Sequence, residues 1–300
     1  MYDLIIVGGG PAGLTAAIYA IRKRLNVLVL SKDLGGKTNY RLSLPWIEDY
    51  QIIRGLDVVN KFRNELEYLE FARHIEAVEK VEKVENHFVV TTKGGAELQA
   101  KAVIIATGTR QVRMEVPGEK EYTMKGLCYS ALSYAPLFID KSVIVVGNED
   151  LALRSAGELS TIAHEVTMVC SDSTLATPLG QKLQQAPNVK IMKDCEVVEV
   201  RGDTYARQLI LRDKSGQIIE KQADGMFVEK ALTPNTKMVQ GLVDLDEQGR
   251  IIVDCACRTS VPGLFAAGDV TDIYAEQVLI AVGEGAKAAL SAYEYLLPKL

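Results

Sequence analysis

The opening of the chain, Met1-Tyr2-Asp3-Leu4-Ile5-Ile6-Val7-Gly8-Gly9-Gly10-Pro11-Ala12-Gly13-Leu14, limits what it can fold into more than any other stretch. Leu4 to Val7 is the short apolar run of a buried parallel strand. It empties directly into Gly8-x-Gly10-x-x-Gly13, and residues 14–24 continue as a helix-forming run. In a strand–turn–helix unit of this kind Gly8 turns the chain, Gly10 lets backbone approach a pyrophosphate, and Gly13 lets helix and strand pack closely. The helix start then presents free N–H groups to the phosphate charge. The first domain is therefore expected to bind a dinucleotide.

Residues 26–30 make the second strand of this βαβ start. An acid often stands at the end of that strand to hold a ribose; here Ser31 has the place, with Asp33 two residues on. Gly35-Gly36-Lys37 reads as a turn, and Leu44-Pro45-Trp46-Ile47 enters a loop. Residues 58–73 show helical spacing, with Val58, Phe62, Leu66 and Leu69 on one face. Strands are expected at 74–78, 87–92 and 98–100, with Lys93-Gly94-Gly95 as a hairpin turn. Val103-Ile104-Ile105-Ala106-Thr107-Gly108 is a buried strand ending in small residues, as a return to a parallel sheet requires.

A second unit echoes the first. Residues 142–146 form a strand, Gly147-Asn148-Glu149-Asp150-Leu151-Ala152 its turn, 153–161 a helix and 165–169 the next strand. The segment Gly263-Leu264-Phe265-Ala266-Ala267-Gly268-Asp269 and a helix over 277–296 should return to the first domain. The expected fold class is α/β, with two Rossmann-like, three-layer ββα domains. The first is discontinuous (1–113 and 246–300) and the second spans 114–245.

Composition narrows the setting. A net charge of −5 with no basic stripe argues against a nucleic-acid partner. No apolar run approaches the roughly 20 residues that span a bilayer, so no membrane partner is expected. Five cysteines in 300 residues do not form a secreted disulfide framework, and the chain opens inside its first strand, leaving no room for a signal peptide. The expected location is the cytoplasm. His74, His87 and His164 have no metal-ligand spacing, and no metal is expected.

Gly8 to Gly13, Gly35-Gly36, Ala106-Thr107-Gly108, Pro234-Asn235-Thr236, Thr259-Ser260-Val261-Pro262-Gly263, Gly268-Asp269 and Gly283-Glu284-Gly285 together resemble the low-molecular-weight thioredoxin reductases, over almost the whole chain. The resemblance implies FAD in the first domain, NADPH in the second, a Cys-x-x-Cys relay between flavin and thioredoxin, and a homodimer. It places the pyrophosphate on Gly8, Gly10, Pro11, Ala12 and Gly13, with Gly35, Gly36, Ala106, Thr107, Gly108 and Gly268 around the cofactor. Val81 would offer backbone to the adenine, Asp269 would hold the ribityl or phosphate end, and Gln277 and Val278 would meet the flavin pyrimidine.

The departures carry as much information. The family's Cys-Ala-Thr-Cys-Asp aligns with Ser130-Ala131-Leu132-Ser133-Tyr134, so both sulfurs and the acid are gone. Cys128 lies outside that pair and reads as a small buried hydrophobe. Gly147-x-Glu149-x-x-Ala152 has a carboxylate where backbone must approach a pyrophosphate, a repulsion on the order of a kcal/mol even when screened. The family's His-Arg-Arg for the 2′-phosphate aligns with Cys170-Ser171-Asp172. NADPH is therefore not expected to be the donor. Lys37 stands where the family has glutamine, Trp46 where it has asparagine, and Glu276 where it has arginine. Lys37 reads either as a cation favouring the anionic reduced flavin or as a solvated loop charge. Trp46 reads either as a stacking partner of the flavin or as core.

The remaining closely spaced thiols are Cys255 and Cys257. On a strand they would share a face, which makes them the candidate catalytic pair or else two structural residues. Cys195 reads as structural. Two classes of function stay open. One is an NADPH-independent FAD oxidoreductase fed by a ferredoxin-type donor, or by a second FAD in the vacated NADPH site. It would act on thioredoxin-type or small disulfide acceptors. The other is a catalytically silent FAD-binding paralogue serving as a redox sensor or interaction protein.

Overall fold

Strand β1 (Tyr2–Val7) is apolar along its buried length, so it needs paired neighbours on both edges and cover on both faces. The computed structural model of the chain, which describes residues 1–47 and 55–300 apart from the Phe71 side chain, supplies both. The chain continues through α1 (Pro11–Arg22), β2 (Val27–Ser31), α2 (Leu56–Tyr68), β3 (Arg73–Ile75), β4 (Val78–Val84), β5 (His87–Thr92) and β6 (Glu97–Ile105). After β7 (Thr109–Gln111) come α3 (Glu119–Tyr122), β8 (Leu127–Cys128), α4 (Ala131–Tyr134), β9 (Ser142–Val146), α5 (Asp150–Ser160), β10 (Glu165–Cys170), α6 (Pro178–Gln185) and β11 (Val189–Lys193). The remainder is β12 (Glu196–Gly202), β13 (Ala206–Arg212), β14 (Ile218–Gln222), β15 (Gly225–Val228), β16 (Leu232–Pro234), β17 (Leu264–Ala266) and α7 (Val278–Leu296).

Two compact units result, each with its own sheets, and the expected α/β pair of Rossmann-like domains is the fold observed. The first unit holds Met1–Asn39, residues 55–110 and Thr233–Leu300; the second holds residues 40–47 and Gln111–Leu232. The return to the first unit lies at 232/233 rather than 245/246, because Val239, Val243 and Ile251 are buried with Val81 and Phe88. The stretch around Trp46 belongs to the second unit, because Leu42 and Leu44 are buried with Phe138 and Leu153. Other differences are local. Proline at N1 pre-sets a helical φ, so α1 starts at Pro11 rather than at residue 14. The strand expected at 98–100 and the apolar run at 103–105 are one strand, β6. The strand expected at 74–78 is split between β3 and β4.

In the first unit the seven-stranded sheet runs β3-β2-β1-β6-β5-β4, with β17 pairing β6. Ile5 pairs in parallel register with Leu28 on one side and Val103 on the other. Alternate residues of β1 serve opposite faces, as a pleated strand dictates. Leu4 and Ile6 pack with Ala16 and Ala17 of α1 and with Ala288 and Ala292 of α7. Ile5 and Val7 pack with Val81, Phe88 and Val90. The order reverses between β1 and β6, which places a ligand crevice outside their C-terminal ends. In the second unit the parallel sheet runs β11-β10-β9-β15-β8, beside an antiparallel sheet β12-β13-β14, and its reversal lies between β9 and β15.

Helix α7 reaches the first unit's centre because Gly285 lets it touch α1 backbone: a Cβ there would stand 2.1 Å from the Ala12 carbonyl oxygen. Gly283 lies on the same helix with no heavy atom within 4 Å of its hypothetical Cβ among the described residues. Gly285→Ala should therefore cost about 1–3 kcal/mol through overpacking, whereas Gly283→Ala should stabilise by up to about 1 kcal/mol through lost unfolded-state entropy. Denaturant midpoints of the two variants, expected to move in opposite directions, check this.

Candidate dinucleotide site and its altered echo

The site in the first unit starts from what each glycine touches. Gly8 has φ +115°, and a Cβ there would lie 2.2 Å from the Ala106 carbonyl oxygen at the end of β6. A Cβ at Gly13 would lie 1.9 Å from the Gly8 carbonyl oxygen. These two glycines are demanded by the packing of β1, β6 and α1. Gly10 is different. It is the residue before α1, with Pro11 in the first turn, and among the described residues nothing lies within 4 Å of its hypothetical Cβ. No packing among the described residues requires glycine at 10, so its bareness serves the approach of something else. A dinucleotide pyrophosphate against the start of α1 fits that opening.

The surrounding loops are tied to this turn by side chains. Asp33 accepts from the Gly36 N–H at 2.9 Å, and the Gly35 N–H donates to the Gly9 carbonyl at 2.7 Å. Asp33 thus organises the Gly35–Gly36 turn, and Ser31 donates to its carbonyl at 2.6 Å. Around Ala106-Thr107-Gly108, Asn235 closes a reciprocal clasp: its Nδ2 donates to the Thr107 carbonyl at 2.9 Å, while the Thr107 hydroxyl donates to the Asn235 carbonyl at 2.7 Å. The Glu284 carboxylate accepts from the Gly268 N–H at 2.9 Å and fixes the loop that carries Asp269. This task for Glu284 is not apparent from the sequence. An acid between two glycines on a helix is its only signal there.

Lys37 is held by partners rather than standing as a solvated loop charge. Its ammonium donates to Thr109 Oγ1 at 2.6 Å, Asp269 Oδ2 at 2.9 Å and Glu276 Oε2 at 3.3 Å. Gln277 is the exposed residue preceding α7, and Val278 is that helix's first residue. Val81 lies on the outer strand β4 with its side chain buried, so only its backbone can face a ligand. Trp46 falls within the second unit. It is half-buried against that unit's core, edge-on to Phe138 with ring centroids 5.7 Å apart, and its indole N–H donates to the Leu137 carbonyl at 3.1 Å.

The second unit keeps the packing glycine and loses the open one. A Cβ at Gly147 would stand 2.1 Å from the Glu229 carbonyl oxygen and 2.7 Å from Ala152 Cβ. The position matching Gly10 is Glu149, exposed, immediately before α5, and Asp150 follows in the first turn. After β10, Ser171 donates its N–H to Asn148 Oδ1 at 2.7 Å, and Asp172 is ion-paired with Lys193 at 2.8 Å. Ser130 and Ser133 do lie together. Ser130 caps α4 by accepting from the Ser133 N–H at 3.3 Å, and its hydroxyl donates to Ser133 Oγ at 3.0 Å. The buried Glu229 carboxylate accepts from the Ala131 N–H at 2.7 Å beside them.

The placement of Cys255 and Cys257 departs from the expected strand. Asp254 Oδ1 accepts from the N–H groups of both Ala256 and Arg258, each at 2.9 Å, and folds the segment into a tight turn. Cys257 adopts φ +62° and its sulfur is buried in the core under α7, donating to the Glu284 carbonyl at 3.7 Å, while Cys255 is exposed. The shared strand face on which the pairing rested is not there. Burial pushes the Cys257 thiol up to about 11 and likewise Cys170, and it raises Cys128 well above the ordinary thiol range. Since thiolate is the reactive form, alkylation of native protein near pH 8 should modify Cys255 at least about tenfold faster than Cys257, Cys128 or Cys170. Mass spectrometry of peptides from a timed alkylation checks the order.

A profile describing the pyridine nucleotide-disulphide oxidoreductases matches residues 2–285. The F component of the alkyl hydroperoxide reductase of Pseudomonas aeruginosa is 37% identical over 99% of this chain and 58% of its own length. An NADH dehydrogenase of Bacillus subtilis is 34% identical over 99% of this chain and 59% of its own length. The chain thus spans a little over half the length of these curated relatives. Among solved structures, a thioredoxin reductase from Streptococcus pyogenes superposes with a TM-score of 0.88 at 33% identity, covering 99% of both chains. A thioredoxin reductase from Giardia duodenalis gives 0.85 at 29% identity, again covering 99% of both.

Proposed function

The chain belongs to the pyridine nucleotide-disulphide oxidoreductase family, as a flavoprotein oxidoreductase resembling thioredoxin reductase and the F component of alkyl hydroperoxide reductase, and we propose that it works with one FAD and without NADPH. In this reading electrons reach the flavin from a separate redox protein of the ferredoxin type. The observation that carries it is the contrast between Gly10 and Glu149. The first has room around it for an anion, and the second puts a carboxylate at the matching place in an otherwise retained turn.

In the first unit Gly8, Gly10, Pro11, Ala12 and Gly13 would hold the pyrophosphate, with the start of α1 offering N–H groups. The loops at Gly35–Gly36, Ala106–Gly108 and Gly268–Asp269 would line the rest of the cofactor. Bound there, FAD would supply the two-electron chemistry of the flavin ring. In the second unit Glu149 and Asp150 oppose a pyrophosphate from any dinucleotide, a second FAD included. Serine cannot form a disulfide, so the Ser130–Ser133 turn does not relay electrons as a dithiol. One observation favours a second reading: Asp172 stands after β10, the place from which an acid holds the ribose 2′-hydroxyl of NADH.

Purified protein should be yellow, with one extractable FAD per chain, bleached anaerobically by dithionite and not by NADPH at micromolar concentration. Replacing Glu149 by Gly and Ser171 and Asp172 by Arg should tighten NADPH at least about tenfold, since each hydrogen bond to a charged group contributes about 1.5–3 kcal/mol. Prompt bleaching of the parent by NADPH overturns the reading, and bleaching by NADH alone selects the Asp172 alternative.

A further inference from the structure

Three separate segments of the first unit end side by side. Lys37 follows Gly36, Thr109 follows Gly108 and Asp269 follows Gly268, and the three glycines have φ of +56°, +61° and +78°. Two of them abut the phosphate turn: a Cβ at Gly36 would lie 3.2 Å from Gly10 Cα, and one at Gly268 would lie 3.1 Å from Ala12 Cβ. The residues that follow them therefore border the crevice outside β1 and β6. Glu276, two residues before α7, completes the group.

The Lys37 ammonium directs its three N–H donors at Thr109, Asp269 and Glu276, at 2.6, 2.9 and 3.3 Å. The Thr109 hydroxyl donates to the same Glu276 oxygen at 3.4 Å. With both carboxylates ionised, two negative charges meet one positive charge, and the cluster keeps one net negative charge. It borders a crevice whose cofactor gains negative charge on reduction. Of the two acids, Asp269 has the shorter contact to the lysine, and Glu276 the longer one. Glu276 is thus the acid the lysine holds at longer range, with Thr109 as its second donor.

We propose that Glu276 takes up a proton when the flavin at the Gly8–Gly13 turn is reduced, with Lys37 and Thr109 as positioning residues that keep it ionised beforehand. The balance is simple. Two electrons and one proton enter the oxidised flavin and leave it as the reduced anion, and a second proton from solvent joins the Glu276 carboxylate. The cluster passes from one net negative charge to neutrality as the flavin passes from neutral to anionic. The inference rests on the flavin reading of the first unit.

The local electrostatics agree in direction. Burial pushes the Glu276 carboxyl up, the Lys37 charge pulls it down, the Asp269 charge pushes it up, and the hydrogen bonds from Lys37 and Thr109 pull it down. These are the charged and polar groups that face it, from the 36–39 turn, from the segment after β17 and from β7. A negative charge arriving on a neighbouring flavin acts in the same sense as Asp269 and favours protonation.

The test is an anaerobic potentiometric titration of the FAD-loaded protein with dithionite and redox dyes, repeated across the acid-to-neutral pH range. The parent should show an interval in which the two-electron midpoint falls with the slope of two protons, giving way at higher pH to the slope of one. In Glu276→Gln the slope in that interval should halve. In Lys37→Gln the interval should move to higher pH, because the charge that holds Glu276 ionised is gone. Coincident slopes for parent and Glu276→Gln overturn the proposal. Should Glu276→Gln fail to hold flavin, an unmoved interval in Lys37→Gln overturns it instead. Flavin content keeps the two readings apart: a parent that binds no FAD sinks the flavin reading, whereas a parent that binds FAD without the two-proton interval sinks only the role of Glu276.

Discussion

The close approach of backbone to backbone between β1 and β6 is the constraint on which the first unit depends. Gly8 leaves its strand with φ +115° directly against the Ala106 carbonyl, and Gly13 then lays α1 on the Gly8 carbonyl. With side chains at these places the strand, the helix and the returning strand could not meet. Their meeting is what opens a crevice at the point where the strand order reverses. Around that fixed corner the other loops are held by few, well-defined bonds. Asp33 shapes the Gly35–Gly36 turn, Asn235 clasps Thr107, and Glu284 holds the Gly268 N–H.

The same constraint recurs in the second unit, and the comparison separates two reasons for a glycine. Gly147 meets the Glu229 carbonyl as Gly8 meets that of Ala106, so the demand of packing is kept in both turns. A Cβ at Gly10 would meet nothing among the described residues, and the matching position is Glu149. A residue required by the fold cannot change without loss of stability, whereas one required only by a ligand can change as soon as the ligand does. The second turn keeps the packing of the first and differs at the position where a Cβ in the first would meet nothing among the described residues.

Much of this was legible in the sequence because the signals were local. A strand emptying into spaced glycines and a helix, and its repeat after Ser142, need no tertiary information. The parts that were not legible depend on residues far apart or on side chains that bend the backbone. Trp46 lies close in sequence to Lys37, yet it packs half-buried against Phe138 because residues 40–47 belong to the other unit. Cys255 and Cys257 have the spacing of a shared strand face, but that inference needs extended backbone. The Asp254 side chain, accepting two N–H groups, makes a turn in its place and leaves one thiol exposed and the other buried. The Lys37–Glu276 contact joins residues 239 positions apart, and no period or motif could have announced it.

The serine turn at the start of α4 is held by its own hydrogen bonds. A hydroxyl accepts a backbone N–H at a helix start, and serine is among the preferred residues there. Ser130 does this for Ser133, and the Ala131 N–H of the same first turn is taken by the Glu229 carboxylate. The two hydroxyls stand 3.0 Å apart, bonded to each other. The turn is thus stabilised by hydrogen bonds that sulfur makes only weakly. A pair of serines is at least as good a cap as the cysteines of the resembled family, and nothing in the local fold presses for the thiols to be kept. Like Glu149 before α5, Ser130 stands at the start of a helix, where a side chain changes what the backbone N–H groups meet without entering the packed core.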